Sequence, residues 1–426
     1  MESSQLQNES TPPSPNPPKP TPPALIVGGI WMLVLAVMLL LCGLVSALLY
    51  AVLPLSQSSA SDLTSSAIFG SSAGLGILFG MILVWQGINL VSGHASRTAA
   101  RAFPPLIFFI IVFAVTIPLG LATQQAKSFA NYLFPPWYFF AAVIPALTIL
   151  AYAAHRLGKT SGVRALVTSF TWGALGATSV AVVVELVTAF VFVFVAILLV
   201  ALISGDPNFL QELQSNLTKM RGTFDPSTAT SLFANPVAII GALAYFAGII
   251  PIVEETLKTL IVAFIDPKRT HRQDAVLWGI AAGAGFAIIE NIFNGSAVLS
   301  LWAITVLTRV GATSMHIANG VMMGRGWYAA RVERRWSRLF IAFLTSVFFH
   351  ALWNALAITL SGSALFLTGS STATNSPATL LVVAIASVLI ILTLMAWVWI
   401  VYSVRSVREP LPAKNLTEGD VLREHN

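Results

Sequence analysis

The chain has 426 residues, 56% of them hydrophobic and only 9% charged, with a net charge of +6 and a mean hydropathy of +0.81. Soluble domains carry about 25% charged residues, so a water-soluble fold is excluded. The single cysteine, Cys42, excludes an internal disulfide framework and a thiolate-rich metal site, and no nucleic-acid-binding pattern is present.

Residues 1–23 are rich in Pro and Ser and read as a disordered cytoplasmic tail. Ten apolar runs follow, each near the roughly 20 residues that span a bilayer. Five of them, Ala24–Leu53, Ala67–Val91, Pro105–Ala122, Trp137–Ala154 and Ala177–Ile203, fill 24–203 and have no assigned role. The first is longer than a signal-peptide core and reads as an anchor. A polar extracytoplasmic loop over 204–235 leads to Pro236–Ile265, Ala275–Asn294, Leu299–Met323 and Leu339–Leu360, a four-helix bundle over 236–360. Ala378–Val401 is the last span, and 404–426 is a charged cytoplasmic tail. Backbone groups in hydrocarbon must bond within their own segment, so the spans are helices. The fold class expected is all-α, a polytopic membrane protein of about ten transmembrane helices.

Lysine and arginine alternate across these connections. One side holds 18 and the other 3, which sets both termini in the cytoplasm. Arg331, Arg334, Arg335 and Arg338 carry much of that signal and can also meet anionic lipid. No internal repeat is visible, which argues against an inverted-repeat transporter.

Ionisable groups are unequally shared among the spans. The first five hold Glu185; the next four hold Glu254, Glu255, Lys258, Glu290, Arg309, His316 and His350. A charge at the bilayer centre costs about 2.5–3.5 kcal/mol, so these groups must face one another or a wet cavity. At about 1.5 Å per residue they lie roughly 11–23 Å deep, in one layer of the bundle. Glu185 reads equally as a fifth-helix partner to that layer and as a tolerated protonated acid.

Spacing then assigns faces. Glu254 and Lys258 are i and i+4, one turn apart, while Glu255 is rotated by about 100° and should point elsewhere. Lys258 could hold either acid ionised or neutralise the site; the shared face puts it on Glu254, leaving Glu255 the preferred base. Pro251 can kink this helix and widen the space beside the acids. Gly279, Gly283 and Gly285 permit close helix approach, and Phe286 and Glu290 share a face with Asn291 beside them. His316 and Gly320 share a face, with Asn319 adjacent, and so do His350 and Asn354. Arg309 lies near the depth of Glu290, its expected partner. Asn354 is expected to orient rather than react.

Converging glutamates and histidines suit the activation of water, with a glutamate as base and histidine moving the proton or binding an oxyanion. They also suit a divalent metal such as zinc, with Glu290, His316 and His350 as the ligands considered. No His-Glu-x-x-His helix signals one. Two other readings use the same residues: a proton- or cation-coupled transporter relay, and a silent scaffold binding membrane partners.

The residues resemble a known family. Glu254–Lys258 (EETLK) is similar to the Glu-Glu-x-x-Lys motif of the PrsW intramembrane proteases, and Phe286–Glu290 (FAIIE) followed by Asn291 to their Phe-x-x-x-Glu motif. His316–Gly320 (HIANG) and His350–Asn354 (HALWN) resemble their later histidine motifs. The wider group includes the prenyl-protein endoproteases. The likeness covers roughly 236–360 and implies an intramembrane endopeptidase acting on membrane-anchored protein substrates. It implies Glu254, Glu255, Glu290, His316 and His350 as catalytic, supported by Lys258, Phe286, Asn291 and Asn354, to which Arg309 is added by depth. The family's best-known role, cleavage of a membrane-anchored anti-sigma factor, implies a bacterial plasma membrane.

Overall fold

The computed structural model describes residues 23–56, 60–126, 129–204, 211, 236–296, 299, 302–368 and 377–408. The expected tails, except Pro23 and residues 404–408, and nearly all of the 204–235 loop lie outside the described residues. Within them the chain is helical throughout, with no strand. The helices are α1 (Pro23–Ser56), α2 (Ala60–Val91), α3 (Leu106–Gln124), the short α4 (Ala130–Leu133), α5 (Pro135–Leu157), α6 (Val163–Thr171) and α7 (Thr178–Ser204). Then come α8 (Pro236–Ala242), α9 (Ile250–Lys258), α10 (Arg272–Asn294), α11 (Trp302–Arg331), α12 (Trp336–Thr368) and α13 (Pro377–Ser406).

Nine of the described helical segments are long and apolar enough to cross a membrane. The eighth expected span is present as α11, a 30-residue helix, but lies outside those nine. Its polar residues, among them Arg309, His316 and Asn319, are what lower its hydropathy. Several boundaries also move: α2 begins at Ala60, α11 runs on to Arg331 and α12 to Thr368. The fifth span is expected from Ala177, yet helix begins at Val163 and runs through a π-helical stretch, Trp172–Ala177, into α7. The last helix continues past the expected Val401 to Ser406.

The outer helices carry apolar side chains on open surface: Trp31, Phe190, Leu202 and Val398 are each more than two-thirds exposed. In water such a surface would aggregate; in lipid it is ordinary. The protein is thus a polytopic all-α membrane protein.

α10 is the centre of the bundle, with 83% of its apolar window buried. It packs on α5, α6 and α11. The contact with α11 is nearly backbone to backbone. A Cβ at Gly283 would fall 2.7 Å from the carbonyl oxygen of His316, closer than real contacts allow. Glycine here brings the helix bearing Glu290 against the helix bearing His316.

Proline shapes the other side. A second π-helical stretch, Leu243–Ile249, leads into α9 at Ile250, with Pro251 in its first turn. Pro251 has no N–H to return to the carbonyl one π-turn earlier, that of Phe246. Asn354 of α12 supplies the missing donor, with Nδ2 2.9 Å from that carbonyl oxygen. Lys258 closes α9, and a 3₁₀ turn over Leu260–Phe264 leads toward α10.

Candidate active site

The polar side chains expected at mid-membrane depth do converge. Lys258 sits at their centre, with a fully buried side chain. Its Nζ lies 2.7 Å from Glu255 Oε1, 2.8 Å from His316 Nδ1 and 3.7 Å from Glu254 Oε2. The ammonium also lies over the Phe286 ring, 4.3 Å from its centroid. Two carboxylate oxygens, an imidazole nitrogen and a ring face thus compensate a cation that lipid would not tolerate alone.

This corrects the expected pairing. Lys258 belongs first to Glu255, at i+3, and less closely to Glu254, at i+4. The two carboxylates do not point apart either. Both reach the same lysine and the same histidine, Glu254 Oε2 at 3.6 Å from His350 Nε2 and Glu255 Oε1 at 2.8 Å from His350 Nδ1. A 100° rotation separates Cβ directions, but two flexible bonds beyond Cβ let neighbouring glutamates close on one point.

Glu255 is the more committed acid. Its Oε1 accepts from Lys258 and His350, and from Asn319 Nδ2 at 3.1 Å, and its side chain has no exposure. Asn319 also donates to the Ser346 carbonyl at 3.1 Å, tying α11 to α12 behind the site. Glu254 is the opener acid. Its side chain is 10% exposed, and its Oε2 accepts no hydrogen bond. The reason for preferring Glu255 as base, that Glu254 alone is held by the lysine, therefore falls.

The two histidines meet edge to face, their centroids 5.0 Å apart. His350 Nδ1–H donates to Glu255, which leaves the Nε2 lone pair free on the Glu254 side. His316 is held oppositely. An ammonium at Lys258 donates to its Nδ1, so the neutral ring carries its proton on Nε2, where it meets Glu290 Oε2.

Glu290 closes the layer. Its Oε1 is 3.0 Å from Arg309 Nη2 and accepts from Asn294 at 2.9 Å. Arg309 in turn donates through Nε to Asn291 Oδ1 at 2.7 Å. Asn291 is anchored by its own Nδ2, donating to the Ala142 carbonyl and to Thr313. Asn291 thus positions the arginine that positions the acid. Asn354 stands apart from the acids, on the Phe246 carbonyl. Glu185 on α7 lies half-buried, with Oε1 unpartnered, close enough to interact electrostatically with Glu290 and Lys258. Trp172 of the first π-helical stretch donates to the Leu257 carbonyl at 2.9 Å and steadies the end of α9. No sequence signal marked Trp172 or Thr313; Asn319 was marked only by being polar in a span beside His316.

Glu254, His316 and His350 can each offer one ligand atom, all within 4.8 Å of one another. Two imidazoles and a carboxylate are the donor types a catalytic divalent site uses, and the carboxylate behind His350 is the usual orienting partner. The unbonded Oε2 of Glu254 is a buried acceptor that such an ion would satisfy. The donor types therefore fit a divalent metal, which would take His316 only in exchange for one of its ring contacts, to Lys258 or to Glu290. This donor set differs from the expected set by holding Glu254 in place of Glu290, because Arg309 and Asn294 already bind Glu290.

A family model described as PrsW family intramembrane metalloprotease matches residues 161–393, from the start of α6 to the middle of α13. Comparison with curated proteins and with solved structures gives no match.

Proposed function

The chain belongs to the PrsW family of intramembrane metalloproteases, and from that premise we propose that it cleaves membrane-anchored protein substrates with water activated between Glu254, His316 and His350. It is a hydrolase acting on peptide bonds, embedded in a membrane with a protein substrate. The observation that carries the detailed reading is the buried, unbonded Oε2 of Glu254 beside the two imidazoles.

Glu254 accepts the proton of the attacking water, being the acid least bound by its neighbours, with a buried Oε2 that accepts no hydrogen bond. Glu255 stays ionised as a positioning group: it orients His350 and balances Lys258. His316 Nε2–H turns from Glu290 to donate to the developing oxyanion, while Lys258 holds the ring through Nδ1. Arg309 and Asn291 keep Glu290 ionised and aligned. Where a divalent ion such as zinc is bound, Glu254, His316 and His350 would hold it; it supplies polarisation of the scissile carbonyl and a more acidic water. Glu290, its Oε1 held by Arg309 and Asn294 and its Oε2 beside His316, is then the carboxylate that takes the proton at Oε2.

We further propose a bacterial plasma membrane with both termini cytoplasmic, from the 18-to-3 division of positive charge. An anti-sigma factor is the proposed substrate class, resting on the family alone. The test uses purified protein with a membrane-anchored peptide. Cleavage should fall by about 10²–10⁴-fold in Glu254→Gln. Undiminished cleavage in both Glu254→Gln and Glu255→Gln would sink the mechanism. The transporter reading would gain only from ion flux in proteoliposomes without hydrolysis.

A further inference from the structure

A second feature lies behind the catalytic layer. A cavity of about 580 Å³ opens between α11, α12 and α13, lined almost wholly by apolar side chains such as Met315, Phe349, Trp353 and Met395. It continues into a second cavity of about 290 Å³, which shares Met322, Thr345 and Trp399 with the first. The second has a different lining: Arg272, Arg325 and Arg338 against a single acid, Glu333.

The sequence places both chambers relative to the bilayer. Arg272 opens α10, Arg325 lies near the end of α11, Arg338 near the start of α12, and Trp399 near the end of α13. Successive helices therefore bring the arginines to one end of the bundle, the end with the larger share of positive charge. The apolar chamber runs inward from there to Met315 and Asn319. Glu333 is partly engaged by Arg338 at 3.3 Å and by Arg335 at 3.7 Å. Among the described residues, no acid lies within ion-pair distance of Arg272 or Arg325. Arg325 is braced over the Trp399 ring, 5.5 Å from its centroid, with Nη1 3.3 Å from Ser403 Oγ. Trp399 Nε1, at the junction, is buried with no hydrogen-bond partner.

From this juxtaposition we propose a binding site for one anionic glycerophospholipid, its phosphate against Arg272 and Arg325 and an acyl tail in the apolar chamber. Each part matches. Guanidinium groups bind phosphate oxygens in pairs, and basic pockets between membrane helices hold anionic headgroups. The ester region offers carbonyl acceptors to the unpartnered indole N–H. The volume separates a tail from a substrate helix: a helix about 10–12 Å across would fill 580 Å³ with roughly one turn. The bound tail would rest on Asn319, whose amide donates to Glu255, so the lipid packs the rear wall of the catalytic layer.

The experiment is native mass spectrometry of the full-length protein in detergent, supplied with phosphatidylglycerol, phosphatidylcholine or inorganic phosphate. The wild type should retain one phosphatidylglycerol per chain, preferred over phosphatidylcholine by about tenfold or more. Arg272→Gln with Arg325→Gln should abolish the preference while leaving the unfolding temperature near the wild type. Ala396→Phe, which fills the tail chamber, should lower retention of phosphatidylglycerol with the arginines intact, and so keeps the test alive if the double variant misfolds. Equal retention of the two lipids by the wild type, or an unchanged preference in a folded double variant, overturns the site. So does competition by millimolar inorganic phosphate, which would mark a headgroup pocket alone, or displacement by a single-span substrate peptide.

Discussion

Glu255 Oε1 and His350 Nδ1 lie 2.8 Å apart, with neither side chain more than 2% exposed. A carboxylate on α9 thereby fixes the ring of a histidine on α12, and its proton, 95 positions along the chain. The two adjacent glutamates are thus placed differently: one is bound to the histidine, and Oε2 of the other accepts no hydrogen bond.

The two glutamates should therefore fail differently. Glu254→Gln should lose cleavage and keep its unfolding temperature, since its Oε2 accepts no hydrogen bond. Glu255→Gln removes the closest counter-ion of a fully buried lysine, a change that costs about 3–5 kcal/mol in buried pairs. It should lower both cleavage and thermal stability. Equal stability of the two variants in a detergent melt would show that the division is wrong.

Lysine is required at 258, and cationic charge alone is not enough. Nζ fits among Glu255, Glu254, His316 and the Phe286 face as a compact ammonium. A planar guanidinium cannot occupy that point with the same geometry. Lys258→Arg should accordingly lose at least about tenfold in cleavage, and Lys258→Met more, because two buried acids then lack a cation. Cleavage by Lys258→Arg at the wild-type rate would reduce the lysine to simple charge balance.

Close packing at the α10–α11 crossing should be visible in function. Gly283→Ala places a methyl 2.7 Å from the His316 carbonyl oxygen, and such overpacking costs about 1–3 kcal/mol. Cleavage should drop about tenfold as the helix bearing His316 shifts. Gly241→Ala is the control, for no heavy atom lies within 4 Å of its added Cβ. A neutral Gly283→Ala, or equal losses in both variants, would contradict the crossing.

Metal uptake separates the ligands from their supports. Elemental analysis of zinc-loaded, desalted protein should find one ion per chain in the wild type. Glu254→Gln and His350→Ala should retain little, whereas Glu290→Gln should retain most of it, because Arg309 and Asn294 hold that acid. Glu255→Gln, acting through His350, should weaken affinity by about 10–100-fold. Full retention by Glu254→Gln with loss in Glu290→Gln would restore the ligand set expected from sequence.

Hydropathy made the helices legible, because a residue in lipid answers to little else over 20 positions. The signal was weakest at α11, where the polar residues that face the centre lower the apolar signal of the helix that carries them, though its span was still read. Depth counting was enough to pair Arg309 with Glu290, since both groups must find a partner in the same thin layer. Helical phase was a poorer guide for Glu254 and Glu255: it fixes where Cβ points, and a glutamate has two more bonds to turn. The Asn354 contact could not be read at all, because the acceptor exists only where a π-turn meets Pro251 on another helix. The same limit hid Asn319 as the brace behind Glu255.

The glycine crossing gives the catalytic chamber one rigid wall. With Gly283 against the His316 backbone, neither helix can slide past the other or spread without losing that contact. On the far side, Gly241 and Gly248 have no heavy atom within 4 Å of where a Cβ would stand, and the segment leading into Glu254 is held by the side chains of Tyr245 and Asn354 instead. The two walls therefore differ in kind: interlocked backbone keeps the imidazole registered, while side-chain bonds hold the approach to Glu254.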